Sequence, residues 1–223
     1  MTAPNIPLRR YSCAELKKAL TERWPESLCQ PLDANELMFS TGLEELDRLF
    51  PAGGIPYGQM IEITGGGSSG KTSLLILMLA AITRDKGTVA YVDYARSFFP
   101  AGAVAGGVDL NRLLVVIPQE SLEGVRAAEL LLDHHLVRCV AFDLVGMTTP
   151  FPFTLIHRLR TKTTRAKALV VFLTEQQTTL LPTSSVSLRL AVHRRDHKTL
   201  TVTVAKSRLC LEGITTEVPI NGG

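Results

Sequence analysis

The run Gly65-Gly66-Gly67-Ser68-Ser69-Gly70-Lys71-Thr72 matches the spacing G-x-x-x-x-G-K-[ST] at every fixed position. Residue types in this order suit one kind of chemistry. Glycines let the backbone wrap closely around phosphate oxygens and turn its N–H groups inward. A helix starting directly afterwards adds the positive end of its dipole to that field. In such a cradle Lys71 reaches the β- and γ-phosphates of a nucleotide, and the Thr72 hydroxyl is offered to Mg²⁺. The expected binding set is Gly65, Gly66, Gly67, Ser68, Ser69, Gly70, Lys71, Thr72 and Ser73, and the expected cofactors are ATP and Mg²⁺.

A motif of this kind needs a strand before it and a helix after it. Met60-Ile61-Glu62-Ile63-Thr64 reads as the strand, and the apolar run from Ser73 to Ile82 as a buried helix. Thr88 to Asp93 reads as a second buried strand. A helix is expected from about Glu120 to His135, with Glu123 also in its opening turn. Glu120 and Glu123 are candidates for a catalytic carboxylate, or they complement the helix dipole as acids at helix starts commonly do. Val137 to Asp143 reads as a strand ending in a carboxylate. An Asp at such a tip, beside the phosphate loop, is placed to hold Mg²⁺ through water together with Thr72. Thr154 to Lys167 reads as a helix, and Ala168 to Leu173 as another buried strand. Ser187 to His193 and Thr199 to Val204 alternate at period two and are joined by Arg194 to Lys198, the pattern of a hairpin. The tail from Thr215 to Gly223 is expected to fray.

At the other end, Met1 to Arg10 reads as a loose arm, followed by a helix from Ser12 to Arg23. Ser12 and Glu15 have capping-box spacing, Leu16, Ala19 and Leu20 form an apolar stripe, and Pro25 ends the run. That helix either packs on its own domain or docks onto a neighbouring subunit. The expected division is an arm and helix over 1–38 and a nucleotide-binding core over 39–223.

The 223 residues suit one domain, and a net charge of +3 argues for nothing alone. Its distribution says more. Between Phe151 and Cys210 the chain carries only Glu175 and Asp196 as acids, against eleven lysines and arginines. Arg158, Arg160, Lys162, Arg165 and Lys167 fall on one helix. Such an excess suits a polyanion, with sequence-independent DNA binding through phosphates as the expectation. The alternative is an ordinary basic surface, or one that faces an acidic protein. Cys13, Cys29, Cys139 and Cys210 are scattered, without metal-site spacing. No signal peptide opens the chain, and its apolar runs stop short of the ~20 residues of a membrane span. The expected location is the cytoplasm.

Three further stretches carry a resemblance. Ser40-Thr41-Gly42 with Leu46-Asp47, then Gly53-Gly54-Ile55-Pro56-Tyr57-Gly58, then the strand and the phosphate loop, resemble the core of RecA-like recombinases in residues and in spacing. The resemblance runs more weakly from about Phe39 to Leu211. Within that family the chain looks most like the ImuA proteins, RecA-like accessory factors of SOS-induced mutagenic translesion synthesis. The resemblance implies an α/β fold: a RecA-like P-loop core with a mostly parallel central sheet, flanking helices and a C-terminal antiparallel hairpin. It implies a preference for single-stranded DNA, self-association, and RecA, ImuB and an error-prone polymerase as protein partners.

It also implies roles at single positions. In RecA the turn after the second strand carries the glutamate that activates water, in the pattern D-x-E-x-x-x-x-P. Here Asp93-Tyr94-Ala95-Arg96-Ser97-Phe98-Phe99-Pro100 puts Ala95 at that place, and alanine cannot orient or deprotonate water. Hydrolysis is expected to be weak or to use another acid. The γ-phosphate-sensing Gln or Asn of the family aligns with Glu175, a third candidate acid, with Gln176 one residue later. Lys206 and Arg208 match the family's K-x-K, which contacts the nucleotide of the adjacent subunit. The expected function is an ATP- and DNA-binding accessory protein of the DNA damage response. An active filament-forming recombinase and a non-enzymatic module with a structural P-loop are the alternatives.

Overall fold

The computed structural model describes residues 38–176 and 179–220, together with the helical positions Glu15, Lys18, Ala19 and Glu22. The helix expected over residues 12–23 is helical at those four positions, where Lys18 pairs with Glu22 at 3.9 Å. The rest of the arm, its Ser12 cap, Gln177 and Asn221 to Gly223 lie outside the described residues.

The elements follow in the order β1 (Met38–Phe39), α1 (Glu44–Asp47), β2 (Ile55–Pro56), β3 (Met60–Gly65), α2 (Lys71–Arg84), β4 (Val89–Asp93) and α3 (Pro100–Ala105). Then come β5 (Leu113–Val116), α4 (Ser121–Asp133), β6 (Cys139–Asp143), α5 (Phe153–Ala166) and β7 (Leu169–Glu175). The chain closes with β8 (Leu188–Arg194), β9 (Thr199–Ser207) and β10 (Thr215–Pro219). Eight strands form one sheet in the order β10-β9-β8-β3-β7-β6-β4-β5. From β8 to β5 every neighbouring pair is parallel, and β9 runs antiparallel to both of its neighbours, β8 and β10. The small pair β1 and β2 stands apart.

The central strands are apolar on both faces, as strands covered by helices on each side must be. Their alternation sorts the core in two. Ile61, Ile63, Tyr91, Ala141, Val171 and Leu190 face α2, which brings Leu74, Leu75, Met78 and Leu79. Met60, Val92, Phe142, Val170 and Phe172 face the other way, onto Val125, Leu131 and Leu132 of α4 and Ile156 and Leu159 of α5. The Phe142 and Phe172 rings stack there with centroids 5.2 Å apart. Each fully buried side chain of this size contributes about 1.5–3 kcal/mol, so the layers are held mainly by these two faces. No helix among the described residues is long and apolar enough to cross a membrane.

One expectation needs correction. The tail does not fray from Thr215 onward: Thr215–Pro219 pairs with Thr199–Thr203 as edge strand β10, and Val218 is fully buried. Only its outer edge is free of a partner strand, which is where a sheet accommodates a proline such as Pro219. Between Phe39 and Phe50 the helix is confined to the four residues of α1. Around it, Asp47 gathers the Thr41 amide at 2.9 Å, the Thr41 hydroxyl at 2.7 Å and the Ser40 hydroxyl at 2.6 Å. The spacing of Ser40, Thr41 and Asp47 is thus the closing of one loop on a carboxylate.

Candidate functional site

The phosphate loop leaves the carboxyl end of β3, the third inner strand from the antiparallel edge, and enters α2. Ligands of open α/β sheets bind at that end of the strands. Gly70 caps α2 with φ at +88°, and a Cβ there would meet the Leu200 side chain at 2.3 Å. A Cβ on Gly65 would meet the Val192 carbonyl oxygen at 2.6 Å and the Ser69 hydroxyl at 2.4 Å. Glycine is therefore required at both fixed positions, by close approach at one and by backbone sign as well at the other. Gly66 and Gly67 have open space at their Cβ positions.

Two polar groups mark what the loop is shaped for. Lys71 is only 6% exposed, and its ammonium donates to the carbonyl oxygens of Gly65 at 3.2 Å and Gly66 at 3.0 Å. The Ser69 hydroxyl is the one buried side-chain polar atom without a hydrogen-bond partner among the described residues. A buried donor without a partner costs about 1–3 kcal/mol. A loop with glycines facing open space, a buried lysine and an orphaned hydroxyl fits a phosphate. The residues that would hold a nucleotide and its Mg²⁺ are those of Gly65–Ser73, with the Thr72 hydroxyl and Asp143 on the metal side.

Asp143 ends β6, two strands from β3. It is 3% exposed and accepts from three donors. The Tyr91 hydroxyl donates to Oδ2 at 2.7 Å, the Ser97 hydroxyl to the same oxygen at 3.2 Å, and the Val145 amide to Oδ1 at 3.2 Å. Burial first, and then the charge of Asp143, push the Tyr91 phenol far above its ordinary value, so it stays protonated as a donor. Beside Asp143 in register lies Asp93, whose two oxygens accept from the amides of Ser97 and Phe98 at 3.0 and 2.9 Å. Asp93 thereby folds the turn that carries Ala95, which is exposed and brings no carboxylate.

The three candidate acids are placed very differently. Glu175 pairs in register with Gly65, its side chain is exposed, and its carbonyl oxygen accepts from the Thr64 hydroxyl at 3.0 Å. Glu120 and Glu123 begin α4 after β5, four strands from β3, on the order of 19 Å across the sheet. Glu123 reaches back to the Gln119 amide at 2.7 Å and so caps its own helix.

The basic helix is also more mixed than its sequence. Arg158 forks onto Glu129 of α4, with Nη2 donating to Oε2 at 2.9 Å, and Lys162 pairs with Asp133. Arg160, Arg165 and Lys167 are exposed. Lys206 donates to the Val186 carbonyl at 3.2 Å and Arg208 to that of Ser184 at 2.9 Å, so both hold the segment entering β8. Burial, with Arg208 and Arg189 nearby, lowers the Lys206 ammonium pKa below its usual value.

Some residues at the site carry no motif. Arg194 donates from Nε to the Ser68 carbonyl at 3.3 Å, bracing the loop from the hairpin. On the face away from α2, buried Glu62 of β3 accepts from the Thr174 hydroxyl at 2.7 Å and from Arg189 Nε at 2.7 Å. That triad ties β3 to both of its neighbours directly behind the phosphate loop. A charged residue in the middle of an apolar strand was its only visible signal.

The model of the RecA N-terminal domain matches residues 27–152, more than half of the chain. The chain belongs to the RecA family. Relatives named Protein RecA agree: that of Lactobacillus acidophilus is 36% identical over 110 residues, 49% of this chain and 30% of its own length. Those of Limosilactobacillus reuteri and Streptococcus mutans are each 35% identical, over 111 and 113 residues, covering 50% and 51% of this chain. This chain spans about a third of the length of these RecA proteins.

Proposed function

We propose that the chain binds ATP with Mg²⁺, binds DNA without sequence preference and favours single strands, and turns ATP over slowly. Its role on this reading is that of an accessory protein in the DNA damage response and translesion synthesis, docking onto RecA, an ImuB-like protein and an error-prone polymerase. The observation that carries the nucleotide reading is the phosphate loop itself, with buried Lys71 and the orphaned Ser69 hydroxyl in one cradle. Lys71 moves from the loop carbonyls to the phosphates, and backbone N–H groups with the Ser69 and Thr72 hydroxyls surround them. Bound Mg²⁺ neutralises charge on the phosphates. Thr72 and Asp143 are the residues that would hold it, Asp143 through water.

Slow turnover is supported by what surrounds the attack site. Ala95 supplies no base, Asp93 is spent on two amides, and Glu123 caps its helix. Glu175 is the one candidate acid whose strand adjoins the loop. Lys206 and Arg208 act on the nucleotide of a neighbouring copy only when they leave the carbonyls they now hold. The test measures ATP affinity and ATP turnover with and without single-stranded DNA. Micromolar binding with little turnover supports the reading. Absence of binding sinks it, and turnover near the ~10 s⁻¹ typical of enzymes replaces it with that of an active motor.

A further inference from the structure

Asp143 is held by three donors, and their distribution over its two oxygens is uneven. Ionised carboxylates offer about four acceptor sites, two on each oxygen. Among the described residues, Oδ2 takes the hydroxyls of Tyr91 and Ser97, and Oδ1 takes only the Val145 amide. One site therefore remains, on Oδ1, which is enough for one water of a Mg²⁺ shell. The hydroxyls come from two different places, Tyr91 from inside β4 and Ser97 from the turn after it. Asp93 fixes that same turn through the Ser97 and Phe98 amides. The Tyr91 ring is itself held by Phe98, with centroids 4.8 Å apart. The β4 turn, which lacks a carboxylate at Ala95, is thus built to grip the carboxylate of β6.

We propose that Tyr91 and Ser97 are positioning residues for Mg²⁺: by closing Oδ2 they fix the orientation of the Asp143 carboxylate and leave Oδ1 as its single metal-facing oxygen. The proposal rests on the ATP–Mg²⁺ reading above. Outer partners of metal-facing groups act in this way, by orienting them. A buried carboxylate that loses a donor is held less firmly in one orientation.

The readout is the Mg²⁺ coupling of nucleotide binding: the affinity for a fluorescent ATP analogue at saturating Mg²⁺ divided by that in EDTA, on the full chain. Tyr91→Phe, which keeps ring and packing, is expected to lower this ratio about three- to tenfold while the EDTA affinity holds. Ser97→Ala, at an exposed position, lowers it less, and Ser97→Thr restores it. In an Asp143→Asn background neither variant lowers the ratio further. Should Tyr91→Phe not fold, the Ser97 pair decides alone. An unchanged or higher ratio in the folded variants, or a wild-type ratio of one, overturns the proposal and leaves nucleotide binding standing. A chain that takes no nucleotide in either buffer overturns both.

Discussion

Lys71 and Ala95 are the residues on which the chemistry divides, one present and one missing. Lys71 carries its charge into a nearly closed loop, with two carbonyls as its present partners. Lys71→Ala is expected to cost ATP binding about 2–3 kcal/mol, roughly 30- to 150-fold in Kd, with the fold intact because the ammonium bonds only loop carbonyls among the described residues. Titration of wild type and variant at equal Mg²⁺ checks this, and equal affinities in a folded variant refute it. Ala95 predicts the opposite pattern, with binding kept and chemistry lost. Missing water positioning and general-base help costs ~10²–10⁴-fold in rate, roughly 3–5 kcal/mol of barrier. Ala95→Glu is expected to raise single-turnover hydrolysis. Should it not, Glu175, next to Gly65 in register, is the second position to change, and Glu175→Gln in the Ala95→Glu background shows whether that acid disturbs the site. The phosphate loop and Asp143 were legible in the sequence because each is local: a contiguous motif and a strand tip. The groups that grip Asp143 were not, since a tyrosine inside a strand and a serine in a turn meet it only through strand pairing.

Helices and strands tell the same story one level up. Parallel strands and covering helices were readable from apolar runs and their period. Contacts between elements distant in sequence were not, and they change what two surfaces mean. Counting charges from Phe151 onward made α5 look one-signed, yet Glu129 and Asp133 of α4 reach across to Arg158 and Lys162. Strand β10 was hidden because its five residues end in proline and its only partner lies in β9. The Glu62–Thr174–Arg189 triad ties three neighbouring strands behind the loop. Removing one partner of a buried pair strands the other charge. Arg189→Ala is therefore expected to lower stability by about 3–5 kcal/mol, read as a shifted denaturation midpoint. Arg189→Ala with Glu62→Gln should recover part of that loss. A loss under 1 kcal/mol for the single variant would show that solvent already screens the pair.

On the scale of the molecule, DNA binding divides between paired and exposed cations. Affinity is expected to fall steeply with salt as condensed counterions are released. Replacing exposed Arg160, Arg165 and Lys167 by Glu should weaken it most and flatten the slope of log affinity against log salt by about 2, from ~0.7 per phosphate contact on single strands. Filter binding or anisotropy between low and physiological salt measures both, and a flat salt response removes α5 as the contact surface. The wall behind the phosphate loop has a different kind of consequence. Gly65 is backed by Val192 and Gly70 by Leu200, residues more than a hundred positions further along the chain. Strand β3 likewise has no partner until β7 and β8 exist. During synthesis the motif that looks most self-sufficient is therefore among the last to acquire its shape. Its loop-closure entropy is repaid only when the hairpin arrives. A nascent chain halted before Leu188 carries every residue of the motif and lacks both Val192 and Leu200, which back its two fixed glycines.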